Sequence, residues 1–77
     1  MSSNIVHQYF KKELNGTMVL VKVNPIQLKG IELTVKAGGI VESRSLEFDE
    51  AILDDLSKDG FVEASPLEFN LYLSGLA

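Results

Sequence analysis

The run from Thr17 to Val23, TMVLVKV, is rich in β-branched residues and, Lys22 apart, apolar at both alternating sets of positions. Successive side chains of a strand point to opposite faces of a sheet, so such a run is at home only where both faces are covered. A chain that holds it has to put this segment inside a sheet and lay other elements over it. Asn24-Pro25 ends the strand, because proline has no N–H for the ladder and restricts the residue before it.

The next segments supply strand neighbours. Gly30 marks a break where a turn or bulge suits a residue without Cβ. Ile31 to Ala37 then alternates strictly, with Ile31, Leu33 and Val35 on one face and Glu32, Thr34 and Lys36 on the other, as a half-buried strand does. The run Ile40 to Phe48 returns after Gly38-Gly39, through either a two-residue loop or a three-residue loop ending in a left-handed Gly39. A two-residue loop opposes Val35 to Glu42 and Leu33 to Arg44, whereas a three-residue loop pairs Val35 with Val41 and Glu32 with Arg44. The side chains predict the three-residue register.

The flanking segments read as helices. Residues 5 to 14 place Ile5, Val6, Tyr9, Phe10 and Leu14 on one helical stripe, with Asn4 as N-cap and Gly16 as stop. A β-hairpin turning at Asn15-Gly16 competes with this reading. It is disfavoured because a strand would put Lys12 on the face of Phe10 and Leu14. After Phe48 the pattern is again helical: Asp49 is the N-cap, Phe48 and Leu53 form a hydrophobic staple, Ile52, Leu53 and Leu56 face the core, and Gly60 is the stop. Ser65-Pro66-Leu67-Glu68 combines a cap, a first-turn proline and a capping-box glutamate, predicting a last helix from about Pro66 to Ser74. The alternation of Leu67, Phe69, Leu71 and Leu73 would suit a strand; the capping chemistry favours the helix. The expected class is α+β: a three-stranded antiparallel β-meander over residues 17 to 48, with an N-terminal helix and two C-terminal helices packed on the sheet, in a single domain over 1–77.

A chain of 77 residues, 45% of them hydrophobic, can build one compact core. It has no cysteine, which excludes disulfides, thiolate metal sites and thiol nucleophiles. No apolar run is long enough to span a bilayer, and Met1 to Gln8 lacks the basic and apolar regions of a secretory signal, so the expected address is the cytoplasm. Charge is uneven. Residues 1 to 36 carry five lysines against Glu13 and Glu32, a balance of +3; residues 37 to 77 carry Arg44 and Lys58 against nine acids, a balance of −7. The acidic half repels phosphate backbones and suits a basic partner or a solvated surface.

Little in the chain resembles catalytic machinery. His7 is the only histidine, so dyads built on two imidazoles and multi-histidine metal sites are excluded. The serines at 43, 45, 57, 65 and 74 have no nucleophile-elbow context. Asp54 and Asp55 are neighbours that point apart on a helix, and the glycines sit at element ends instead of forming a phosphate loop. Lys11 and Lys12 beside Tyr9 and Phe10 are too few to make a single-strand reader. No enzyme activity, no cofactor and no nucleic acid is expected.

One segment has a different look. Phe48, Ala51 and Ile52 take the apolar places of an entering helix, Asp55, Ser57 and Asp59 take the first, third and fifth oxygen places of a loop, Gly60 follows at the sharp turn, Phe61 offers a carbonyl and Val62 is the apolar residue of the loop strand. Over about a quarter of the chain this resembles an EF-hand, which implies calcium held by Asp55, Ser57 and Asp59. Pro66 stands where the family has its bidentate glutamate, Asp54 where the helix wants an apolar residue, and there is no second hand, so the implied site is weak.

The expected function is therefore a non-catalytic protein-interaction or accessory module. Its partner would be an unknown protein or a second copy, met through an exposed sheet edge or through the apolar tail carrying Phe69, Tyr72, Leu73 and Leu76. A calcium-binding module is the alternative.

Overall fold

The computed structural model describes residues 7–74. The order is β1 (Gln8–Leu14), β2 (Thr17–Asn24), β3 (Lys29–Val35), β4 (Val41–Glu47), α1 (Ile52–Lys58), β5 (Val62–Glu63) and α2 (Pro66–Leu73). All pairings are antiparallel, and the strands lie in the order β4-β3-β2-β1-β5. The expected three-stranded meander is present as β2, β3 and β4, but it forms only part of a five-stranded sheet.

The N-terminal helix expected over residues 5 to 14 is replaced by β1 across residues 8 to 14; its proposed cap Asn4, with Ile5 and Val6, lies outside the described residues. Asn15 and Gly16 both adopt positive φ, +48° and +83°, as a two-residue hairpin turn requires. Lysine on an apolar face argues against a hairpin in an isolated segment; tertiary contacts supply what offsets it. Lys12 lies over the Phe61 ring at 5.9 Å and donates to the carbonyl oxygen of Asp59, the C-cap of α1. Lys11, on the other face, reaches Glu68 in the first turn of α2 at 3.1 Å. The Lys12 ammonium thus sits at the C-terminal end of α1, where the helix dipole favours a cation, and the Lys11 ammonium is neutralised by the Glu68 carboxylate. Tyr9 and Phe10, one stripe on a helix, serve opposite faces of the strand.

Two clusters sandwich the sheet. Leu20 of β2 and Leu33 of β3 are buried against Phe69 of α2, with Tyr9, Met18, Ile31 and Tyr72 around them. On the other face Val21 and Val23 of β2 are buried against Leu56 of α1, with Phe10, Phe48 and Phe61 around them. Because alternate residues of β2 feed opposite clusters, α1 and α2 cover opposite faces. The central position inferred for Thr17 to Val23 is what the sheet order displays.

Local chemistry sets the ends. Asn24 Oδ1 accepts from the N–H groups of Ile26 and Gln27, both at 3.0 Å, which closes the turn between β2 and β3. Gly30 lies within β3 and marks no break there; the Phe48 ring packs onto it, so close that a Cβ would stand 2.7 Å from Phe48 Cε2. Asp49 caps the turn ahead of α1, accepting from the Ala51 N–H at 2.9 Å, and the helix starts only at Ile52. Gly60 at φ +87° ends α1: its N–H donates to Ser57 O at 3.1 Å and the Phe61 N–H donates to Leu56 O at 3.0 Å. This is a Schellman closure. Ser65 Oγ accepts from the Glu68 N–H at 3.1 Å, so α2 starts as its capping signal predicts.

Candidate interaction edge

Strand β4 is built by alternation and by its turn. Gly38 and Gly39 both take positive φ, +89° and +84°, a region closed to most L residues, and the loop between β3 and β4 places Val35 opposite Val41 and Glu32 opposite Arg44. The three-residue register is thus the one formed. The Lys36 N–H donates to Ile40 O at 2.8 Å and the Phe48 N–H to Leu28 O at 2.8 Å, so the ladder runs on past both ends of β4.

These two bonds fix the direction of every main-chain group between them. Opposed residues of an antiparallel pair alternate between exchanging hydrogen bonds and exchanging none. Ile40, Glu42, Arg44, Leu46 and Phe48 turn their N–H and C=O groups towards β3. Val41, Ser43, Ser45 and Glu47 turn theirs outward, where the sheet order places no further strand among the described residues.

Edges of this kind are usually blunted by a bulge, a proline, charged side chains (lysine above all) or by being very short. β4 pairs without a skipped residue over all seven positions and contains neither proline nor lysine; of its three charged residues, Glu42 and Arg44 are already neutralised in ion pairs with Lys36 and Glu32. The opposite edge differs: β5 has two residues and runs directly into α2. α2 reaches this strand where Val41 packs against the cluster around Phe69, whereas Ser43, Ser45 and Glu47 beyond it are exposed.

The side chains facing the α1 side of β4 form a short ordered row. Arg44 Nη2 lies 2.9 Å from Glu32 Oε1, and Lys36 Nζ lies 3.0 Å from Glu42 Oε1. Together with Thr34 and Ser43, the Glu32, Glu42 and Arg44 side chains line a shallow open depression. Ile40 stands at one end of the row, 58% exposed, and Leu46 at the other, half-buried. Sequence reasoning named a sheet edge without naming these residues. The signal was in the chain, since positions 40, 42, 44 and 46 read Ile, Glu, Arg, Leu once the strand register is assigned.

The residues singled out as an interaction tail are placed differently. Phe69 is fully buried, its ring 5.5 Å from that of Tyr9, and belongs to the core. Tyr72 is half-buried against the same cluster, Leu73 is exposed, and Leu76 lies outside the described residues. Exposed apolar side chains on α2 include Leu67 and Leu71, one turn apart and opposite Phe69.

The calcium candidates are also redistributed. Asp55 and Ser57 are residues of α1, and Asp59 is its C-cap. On a helix Ser57 is rotated about 200° from Asp55, so the two oxygens diverge where a loop would converge them. Asp54 pairs with Lys58 one turn on, at 3.0 Å. Among the described residues no group of three or more His, Asp or Glu side chains comes together. His7 is half-buried at the entrance to β1, beside Glu63 and Pro66. No helix in the described residues is long and apolar enough to cross a membrane.

Comparison with protein-family models, with curated proteins and with solved structures returns no match for this chain.

Proposed function

We propose that this protein is a non-catalytic interaction module that works by strand addition along β4. The observation that carries the reading is an edge with outward main-chain groups at Val41, Ser43, Ser45 and Glu47 and no bulge, proline or lysine to blunt it. An extended partner segment laid there gains a ladder of main-chain hydrogen bonds, and its alternate side chains meet the row at 40, 42, 44 and 46. On the α1 side of this edge Glu42 and Arg44 are engaged in ion pairs suited to recognition.

The test exploits the geometry of proline. At Ser43 the N–H points away from β3, so Ser43→Pro leaves the native ladder intact while removing an outward donor and placing a ring in the path of an added strand. Wild-type and Ser43→Pro proteins, matched by circular dichroism and thermal melting, are used side by side as baits in extract of the native cell. Proteins held by the wild type and lost by Ser43→Pro support strand addition; identical sets from two folded baits overturn it.

A further inference from the structure

We infer that the strand added to β4 is β4 of a second copy of this chain, antiparallel, with a two-fold axis passing through Ser43. The inference rests on the strand-addition reading and names its partner.

Outward main-chain groups on β4 belong to the odd-numbered residues, so in an added antiparallel strand odd residues must exchange hydrogen bonds with outward-facing residues of the partner. A two-fold axis at Ser43 satisfies this, opposing Ser43 to the partner's Ser43 and Val41 to the partner's Ser45. About six main-chain hydrogen bonds result. The even-numbered residues then form the close pairs that exchange no hydrogen bonds, where side chains approach most nearly.

Those close pairs are complementary throughout. Ile40 falls opposite the partner's Leu46, Glu42 opposite the partner's Arg44, and symmetry repeats each pair. Moving the axis one residue to Arg44 would oppose Arg44 to the partner's Arg44, and moving it to Glu42 would oppose two glutamates. Ile40 is 58% exposed in the single chain, and this register covers it with an aliphatic side chain. The ion pairs already formed, Lys36 with Glu42 and Arg44 with Glu32, would extend across the axis into a row of alternating sign. The row Ile-x-Glu-x-Arg-x-Leu reads as its own complement when reversed. That property selects a second copy over an unrelated strand, since an isologous interface needs one patch to match itself.

Charge reversal tests partner and register together. A Glu42→Arg chain sets like charges against each other at both symmetric pairs, and so does an Arg44→Glu chain. Mixing the two variants restores an opposite-charge pair at each position. Sedimentation equilibrium of the wild type is expected to show mass rising from one chain to two with concentration, and weaker association as salt rises. Each single reversal should weaken dimerisation by about tenfold or more, and the equimolar mixture should recover it. Ile40→Ser, at an exposed position outside the charged pairs, should weaken it independently.

A wild type that stays monomeric at millimolar concentration overturns the second-copy inference, and so do single reversals that dimerise as the wild type does. Neither result touches the broader reading, which stands or falls with the Ser43→Pro comparison. A mixture that stays monomeric while the wild type dimerises overturns the register at Ser43.

Discussion

Gly30 shows how one missing side chain organises this protein. A Cβ there would stand 2.7 Å from Phe48 Cε2 and would press into the main-chain carbonyl of Lys22 on the neighbouring strand. Phe48 is the residue at which the chain leaves the β4 ladder for α1, and its ring packs with Val21, Val23 and Leu56. Gly30 therefore sets how closely the α1 layer approaches the sheet. Because the carbonyl cannot move without breaking the β2–β3 ladder, Gly30→Ala is expected to destabilise the fold by about 3 kcal/mol, at the upper end of overpacking costs. Urea unfolding checks this, and a midpoint within error of the wild type would refute the close approach. In the sequence a glycine at 30 suits a break as well as a close approach; the structure shows that the neighbouring Phe48 ring and the Lys22 carbonyl, not a turn, require it.

At the scale of elements, the two helices owe their limits to different devices. α2 begins at a side-chain cap, Ser65, while the carboxylate of Glu68 turns to Lys11 at 3.1 Å. The capping-box pattern is thus honoured in its main-chain half, and its glutamate is used for a tertiary tie to β1. Ser65→Ala is expected to cost about 1 kcal/mol with little sensitivity to salt. Glu68→Gln removes an ion pair whose partners are about one-third exposed, so its cost should be at most about 1 kcal/mol and should shrink as salt rises. Thermal melting of both variants at low and high salt separates the two contributions; equal salt dependence would contradict the assignment. α1 lacks a side-chain N-cap hydrogen bond and relies on its C-terminal closure at Gly60 and on Lys12. A seven-residue helix does not persist alone in water, so the Gly60 closure and the Lys12 tether to β1 matter more than intrinsic helix propensity.

For the whole molecule, the sheet is closed on one side and open on the other. β2 is inside, covered by both helical layers, and β5 with α2 closes the β1 side. Amide exchange in dilute solution should follow this order, slowest in β2. Within β4 it should alternate, with Glu42, Arg44 and Leu46 protected by β3 and Val41, Ser43 and Ser45 exchanging freely. Uniform protection along β4 at a concentration where the chain is monomeric would contradict the open edge. Protection gained at the odd-numbered positions on concentrating the protein would report the added strand directly.

The sequence by itself determined what local physics can decide. Alternation and two glycines set the pairing of β3 with β4, a two-faced apolar run set β2 at the centre, and Ser65, Pro66 and Gly60 set helix ends through main-chain hydrogen bonds made within a few residues. Only the tertiary structure decided that residues 8 to 14 are a strand. Locally, Lys12 beside Phe10 argues for a helix; the partners that make a strand acceptable, Asp59 for Lys12 and Glu68 for Lys11, lie 47 and 57 residues away in the chain. Tertiary packing likewise moved Phe69 from a proposed contact surface to the centre of the core, because a helix apolar on more than one side leaves its packed face to be chosen by the sheet beneath it. The β4 edge belongs to both: its residues are legible in the chain, but that no strand follows it in the sheet is a property of the assembled fold.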